Sequence, residues 1–339
     1  MRYFEDIVGN EGLRRRVGEA VSSGRFPHAV IIEGQDGIGK NLMARQIAAA
    51  LLCTGADAAG ALPCGRCAFC RKVAENRMPD VVTVAREDKA TIGVDPIRAI
   101  RSDMYLSATE APRKIYIIDE AHTMTMQAQN ALLKVLEEPP TEVNILLLCE
   151  RSEALLSTIR SRAQILRMTP LSDTELERFA DRQSALQVIR RGQPEVWQDL
   201  KLACGGCAGH LSALAGRGQA AALQKKRDAV YGIIDAAAGR QGYAAVSDAL
   251  KRLAPKRREL AEDLGQLSLA LRDLCVCECD ENAPLLFFTD RTRAAEMARA
   301  LGRVRLCAMF DAASRAIDDL AGNANVGLVT ASLAVSFLS

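Results

Sequence analysis

The chain has 339 residues, 49% of them hydrophobic, and a formal net charge of +2. That length suits two or three domains with ordinary cores, and the near-neutral charge excludes a bulk electrostatic nucleic-acid binder, so any DNA contact must be local. No stretch is long and apolar enough to span a membrane, and the opening MRYFEDIVGNEGLRRR has no apolar signal core, so a cytoplasmic protein is expected, in which eleven cysteines point to metal or buried thiols over disulfides.

Residues 4–24 read as a lead-in and a helix. Gly9 breaks the start, Leu13, Val17, Ala20 and Val21 share one face, and Arg14 to Arg16 is a solvated basic run. His28 reads as a local structural residue. Ala29 to Glu33 is a branched apolar run, the pattern of a buried parallel strand. A G-x4-G-K loop follows, with Gly34, Gly37, Gly39 and Lys40, and then an alanine-rich helix over Leu42 to Leu52. Strand, glycine loop and helix together make a nucleotide site. Glycines let backbone N–H groups wrap a phosphate, and the helix N-terminus adds partial positive charge. Lys40 is expected to neutralise the β and γ oxygens. The next position should carry a hydroxyl for magnesium, but here it is Asn41. The loop is therefore expected to hold phosphate and to be poorly set up for hydrolysis.

Next comes Cys53, followed by Cys64, Cys67 and Cys70, spaced C-x10-C-x2-C-x2-C. Four soft ligands in a short loop suit a tetrahedral zinc. No acid or histidine stands among them to leave a catalytic position open, so a structural zinc is expected. The bland alternative is four buried thiols without metal.

Asp80 to Ala85 reads as a strand, and 94–106 as a helix with Pro96 in its first turn. Ile115 to Ile118 is another buried strand, ending in Asp119-Glu120. Acids at a strand's C-terminal end face the crevice where open α/β sheets bind ligands. Asp119 is expected to hold magnesium through water and Glu120 to polarise an attacking water. Helix 124–138 follows, with Ala128, Leu132, Val135 and Leu136 on one face, and Pro139-Pro140 stops it. Asn144 to Cys149 reads as a strand, 153–163 as a helix ending in Ser161-Arg162, and Gln164 to Arg167 as a strand.

Pro170 marks a boundary. Residues 172–215 read as a small helical domain, 216–224 as a linker, and 225–339 as strongly helical, with Leu and Ala at three- and four-residue spacing. Cys204 and Cys207 lack a second pair and read as packing residues. Cys275, Cys277 and Cys279 alternate, and two-residue spacing on a helix points side chains apart, so a shared metal there is not expected.

Together these residues resemble bacterial clamp-loader subunits of the AAA+ class. The resemblance is carried by IVGNE at 7–11, HAVIIEGQDGIGK at 28–40 and the cysteine module at 53–70. It continues in VDPIRAI at 94–100, IYIIDEAHTMTMQAQNALLKVLEEPP at 115–140 and TIRSR at 158–162. It is dense over the first half and rests on helical pattern in the rest. It implies an α/β AAA+ P-loop NTPase domain over 1–168, a parallel sheet with the zinc module inserted at 53–70. A small helical lid over 169–216 and an all-α collar for oligomerisation over 225–339 complete the expected layout.

Two kinds of subunit compete within the family. Gamma/tau is the ATP-hydrolysing motor, and delta-prime is the stator with weakened nucleotide chemistry. Asn41 departs from the motor pattern. So does Glu150, where that pattern has a polar sensor, and so does His210, where it has a lid arginine. Ala163 replaces the cysteine of the Ser-Arg-Cys motif, while Ser161-Arg162 remains. The resemblance is therefore to delta-prime, a part of the DNA-directed DNA polymerase holoenzyme (a nucleotidyltransferase) with little or no ATPase of its own. The implied partners are gamma/tau and delta in a hetero-pentamer, and the sliding clamp and primed DNA through that assembly, in DNA replication. Arg162 is then an arginine finger acting on a neighbour's ATP. Gly34, Gly37, Gly39, Lys40, Asn41 and Asp119 form a weak nucleotide site in which Glu120 is vestigial. A gamma/tau-like motor, or an independent DNA-dependent AAA+ ATPase, is the alternative.

Overall fold

In the computed structural model, residues 2–338 are described apart from 57–59, 87–90, 217, 240–241, 254, 281–282 and 323. Residues 57–59 of the cysteine module and residue 217 of the expected linker thus lie outside the described residues. The chain divides into two compact units, one of residues 1–182 with 206–210 and one of 183–205 with 211–339. Among the described residues, no helix is long and apolar enough to cross a membrane.

The first unit is built on five parallel strands: β2 (Ala29–Glu33), β4 (Val81–Val84), β5 (Lys114–Ile118), β6 (Val143–Cys149) and β7 (Gln164–Arg167). Their order in the sheet is β4-β5-β6-β2-β7. Because side chains alternate across a strand, each central strand feeds two cores. Val30, Ile32, Ile115, Ile117, Leu146 and Leu148 pack with Leu13, Val17, Met43 and Ile47 from α1 (Glu11–Ser22) and α2 (Lys40–Leu52). Ile31, Tyr116, Ile118, Ile145 and Leu147 pack with Ile97, Ile100, Leu132 and Val135 on the other face. Burial on both faces is why these strands read as unbroken apolar runs. A two-stranded parallel ladder joins β1 (Arg2–Tyr3) to β3 (Ala61–Leu62). Neither strand was expected, since two residues carry no periodic signal.

α3 (Ala68–Ala74) begins within the cysteine module. α4 (Val94–Met104) and α5 (Met126–Glu137) fall close to their expected spans. The helix expected over 153–163 is not continuous. A 3-10 turn at Ser152–Ala154 is followed by extended Leu155 and only then by α6 (Ser157–Arg160). Two anchors explain the break: Leu155 is buried, and the Leu156 N–H donates to Gln129 Oε1 at 2.8 Å. α7 (Asp173–Ala180) starts with a full capping box between Ser172 and Glu175.

The second unit is helical among its described residues. It contains α8 (Ser184–Gly192), α9 (Pro194–Cys204), most of α10 (Ala208–Leu214), α11 (Gln219–Ala238), α12 (Gly242–Leu250), α13 (Arg257–Cys279), α14 (Arg291–Leu301), α15 (Arg303–Ala321) and α16 (Val326–Ser336). Helix α11 takes in residues 219–224, so most of the expected linker is helix. One continuous core runs from Val230 to Phe337. Two buried charges find partners inside this unit. Arg227 pairs with Asp199 at 2.9 Å. Asp273 accepts the backbone N–H groups of Leu286, Phe287 and Phe288, seating the chain between α13 and α14.

Candidate functional site

The glycine loop leaves β2 at the carboxyl end of the sheet, with β6 and β7 on either side. Gly34 N–H donates to Cys149 O of β6 at 3.1 Å. Gly37 and Gly39 have φ of 70° and 104°, a region that side chains with a Cβ rarely adopt. The loop backbone is thus free to turn its N–H groups inward, and Gly39 caps the start of α2. Lys40 Nζ donates to the carbonyls of Gly34 and Gln35, both at 2.9 Å, so the ammonium is held by its own loop.

Asn41 projects from the first turn of α2 towards the end of β5. Its Nδ2 donates to Asp119 Oδ2 at 2.8 Å, and Asp119 Oδ1 accepts Glu120 N–H at 2.9 Å. Both carboxylate oxygens are engaged, and the amide presents N–H groups where a metal needs an oxygen. In this orientation the amide offers no oxygen to magnesium, which would have to break the Asn41–Asp119 bond to be held here. Glu120 sits in left-handed backbone at φ 47°, and Arg86 Nε binds its carboxylate. Arg86 was missed in the sequence, and only the strand register brings it into view. Val84 lies opposite Ile118, so two residues further on Arg86 faces Glu120.

Residues 206–210 return to the same loop. Gly209 N–H donates to Gly37 O at 2.8 Å, and the His210 ring lies so close that a Cβ on Gly37 would meet its Cδ2 at 2.4 Å. His210 Nε2 is 3.2 Å from Asp36 Oδ2. The hydrogen bond from His210 is the largest cause holding the Asp36 carboxyl below the usual range. Cys207 is buried and its thiol contacts Gln35 Oε1, while Cys204 is buried in α9. Glu150 is exposed just after β6. Arg162 follows α6. Its guanidinium pairs with Glu137 Oε1 of α5 at 3.0 Å and donates to Thr158 O at 3.0 Å.

The cysteine module assembles at the end of α2. The thiols of Cys53, Cys64, Cys67 and Cys70 lie within 4.8 Å of one another. Cys64 and Cys70 sulfurs are 4.0 Å apart, against about 3.8 Å across a tetrahedron with zinc–sulfur bonds of about 2.3 Å. The N–H groups of Cys64, Cys67 and Cys70 each point at the preceding cysteine's sulfur at 3.4 Å, the contact that stabilises thiolates. Burial pushes the Cys67 thiol up, but the N–H groups of Cys70 and Thr54 and the neighbouring thiols bring it down to about 6. These four residues fit a structural zinc, which would tie the end of α2 to the start of α3. No such cluster forms at Cys275, Cys277 and Cys279 among the described residues.

Comparison with known proteins bears on the same region. Residues 9–172 match the family described as DNA polymerase III, delta subunit. A DNA polymerase III gamma subunit from Buchnera aphidicola is 31% identical over 178 residues, covering 52% of this chain and 48% of that protein. A DNA polymerase III tau subunit from Bacillus subtilis is 35% identical over 161 residues, covering 48% of this chain and 28% of that one. A solved gamma subunit-related protein from Thermotoga maritima aligns over 96% of this chain and 98% of its own, with a TM-score of 0.47 and 16% identity. The matched segment spans about half the length of the gamma relative and less of tau. The first unit is a parallel α/β domain with a glycine-rich loop between its strand β2 and helix α2. The chain is similar to subunits of DNA polymerase III, delta, gamma and tau among them.

Proposed function

We propose that this chain is the delta-prime type of clamp-loader subunit, a stator that helps set the sliding clamp on primed DNA. The observation that carries the stator reading is the direct bond from Asn41 to Asp119, in a loop whose Lys40 is held by its own carbonyls. A motor needs that acid and a neighbouring hydroxyl for magnesium, and that lysine for the β and γ oxygens. Glu120 bound by Arg86, and His210 laid on Gly37, agree with a site that does not turn over ATP.

In this reading the four thiols hold a structural zinc. Residues 1–168 are the AAA+ domain, 169–216 the lid and 225–339 the collar that joins gamma/tau and delta in a pentamer. The protein works in the cytoplasm. Arg162 reaches the ATP of a motor neighbour and stabilises charge on the transferring phosphoryl group. The second reading, a gamma/tau-like motor, is favoured by the names of the relatives, which are gamma and tau.

One experiment separates the two. The chain is mixed with gamma/tau and delta, the complex is isolated by size exclusion, and ATP turnover is followed for each component and mixture. A stator co-elutes with both and adds clamp- and DNA-stimulated turnover without turnover of its own. Motor-rate hydrolysis by the chain alone, abolished by Lys40→Ala, overturns the stator reading. Failure to co-elute with either partner overturns the clamp-loader reading.

A further inference from the structure

In the helical unit, the last turn of α13, helix α14 and the start of α15 line an open concavity of about 750 Å³. Arg291, Arg299 and Arg303 line it with Thr292, and the one carboxylate among its lining residues is Glu278. Elsewhere in this unit cations commonly have acidic partners, as Lys226 does with Asp263, Lys251 with Asp248 and Arg272 with Asp273. Arg299 and Arg303 have none among the described residues. Arg291 is anchored by the carbonyls of Ala283 and Asp280, which fix its position without neutralising its charge. Among the described lining residues, three guanidinium groups thus stand against one carboxylate.

We propose that this cavity is a binding site for phosphoryl groups, those of a nucleic-acid backbone or of a free polyphosphate. The planar fork of arginine matches phosphate oxygens two at a time, and the Thr292 hydroxyl adds a neutral donor. Arg299 lies in the last turn of α14 and Arg303 opens α15, on either side of Gly302. There Gly302 caps α15 without a side chain, and no acidic residue stands in the first turn of that helix. The lining residues include no aromatic ring. A base has no stacking platform, and recognition falls on the phosphates rather than on sequence. The site lies wholly in the second unit and is independent of the glycine loop and of the clamp-loader reading.

The test uses the full chain carrying Lys40→Ala, so that the glycine loop does not contribute. Binding of a fluorescein-labelled oligothymidylate is followed by anisotropy and binding of inorganic tripolyphosphate by calorimetry, each between about 50 and 200 mM salt. Arg299→Ala with Arg303→Ala is expected to weaken binding about tenfold or more. For the oligonucleotide, the salt slope should fall by roughly one for each phosphate that is no longer neutralised. Arg299→Lys with Arg303→Lys keeps the charge and should weaken binding less. Both arginines are exposed, so an unchanged melting temperature is expected and checks the fold. Tight oligonucleotide with weak tripolyphosphate identifies a nucleic-acid backbone as the source, and the reverse identifies a free polyphosphate. If neither probe binds, if the double alanine variant binds both as before, or if polyglutamate binds as tightly as they do, the proposal is overturned.

Discussion

Asp80 shows how a residue with no catalytic signature can hold the sheet's edge. It is 1% exposed, and it accepts the N–H groups of Thr109, Glu110 and Ala111 at 2.6, 2.7 and 2.8 Å. Burial raises its pKa, but these three donors and the Lys114 charge outweigh it and leave the carboxyl below its ordinary value. The depressed pKa fixes the sign. The stabilisation is present above the unfolded pKa of about 3.9 and is lost as pH falls through the lower folded value. Asp80→Ala strands three donors and is expected to cost about 3 kcal/mol in urea unfolding at neutral pH. The gap to the unmodified chain should narrow in acid. A gap that stays constant down to about pH 3 removes the carboxylate from the account. At the glycine loop no activity is expected. The isolated chain should show no ATP turnover above background, and Lys40→Ala should change nothing, because Asn41 and Asp119 satisfy one another. Steady turnover abolished by Lys40→Ala contradicts it.

Among the elements, the cysteine module makes the strongest demand. Its four thiols bring the end of α2, the Cys64 loop and α3 to one point. Protein purified without chelator is expected to contain about one zinc per chain by elemental analysis. Cys67→Ser should lose the metal and lower the melting temperature of the first unit, leaving helical signal from the second. Metal-free protein with unchanged stability and four reactive thiols is the contrary result. This site was legible from spacing alone, because x2 turns constrain where sulfurs go. The three central strands at 29–33, 114–118 and 143–149 were legible too, since double-sided burial writes itself as nearly uninterrupted apolar residues. The break inside 153–163 was not. Leu155 and Leu156 keep a helical spacing, and only the distant Gln129 side chain shows why the chain stays extended there. The partners of the loop were hidden for the same reason. Arg86 reaches Glu120 through strand register, and His210 reaches Gly37 after a return of more than 170 residues, as its bond to Asp36 records.

At the scale of the whole molecule, the question is whether Arg162 serves its own chain or a neighbour. Inside the chain it already has partners, Glu137 and the Thr158 carbonyl, yet more than a third of its side chain stays exposed. Exposed pairs of this kind are worth roughly 0–1 kcal/mol, so Arg162→Ala should leave unfolding nearly unchanged. A finger acting in trans is worth roughly a thousandfold in turnover at the one site it completes. In the proposed assembly, several ATP sites would dilute that in the bulk rate. Arg162→Ala complexes are therefore expected to assemble normally while clamp- and DNA-stimulated hydrolysis and clamp loading fall. Arg162→Lys should rescue poorly, since an ammonium lacks the planar fork of donors. Glu137→Ala supplies the opposite control. It frees the guanidinium from its in-chain partner without removing it, so it should keep or raise loading. If Arg162→Ala complexes load clamps at the unmodified rate, the arginine belongs to the Glu137 pair alone and the trans role is wrong.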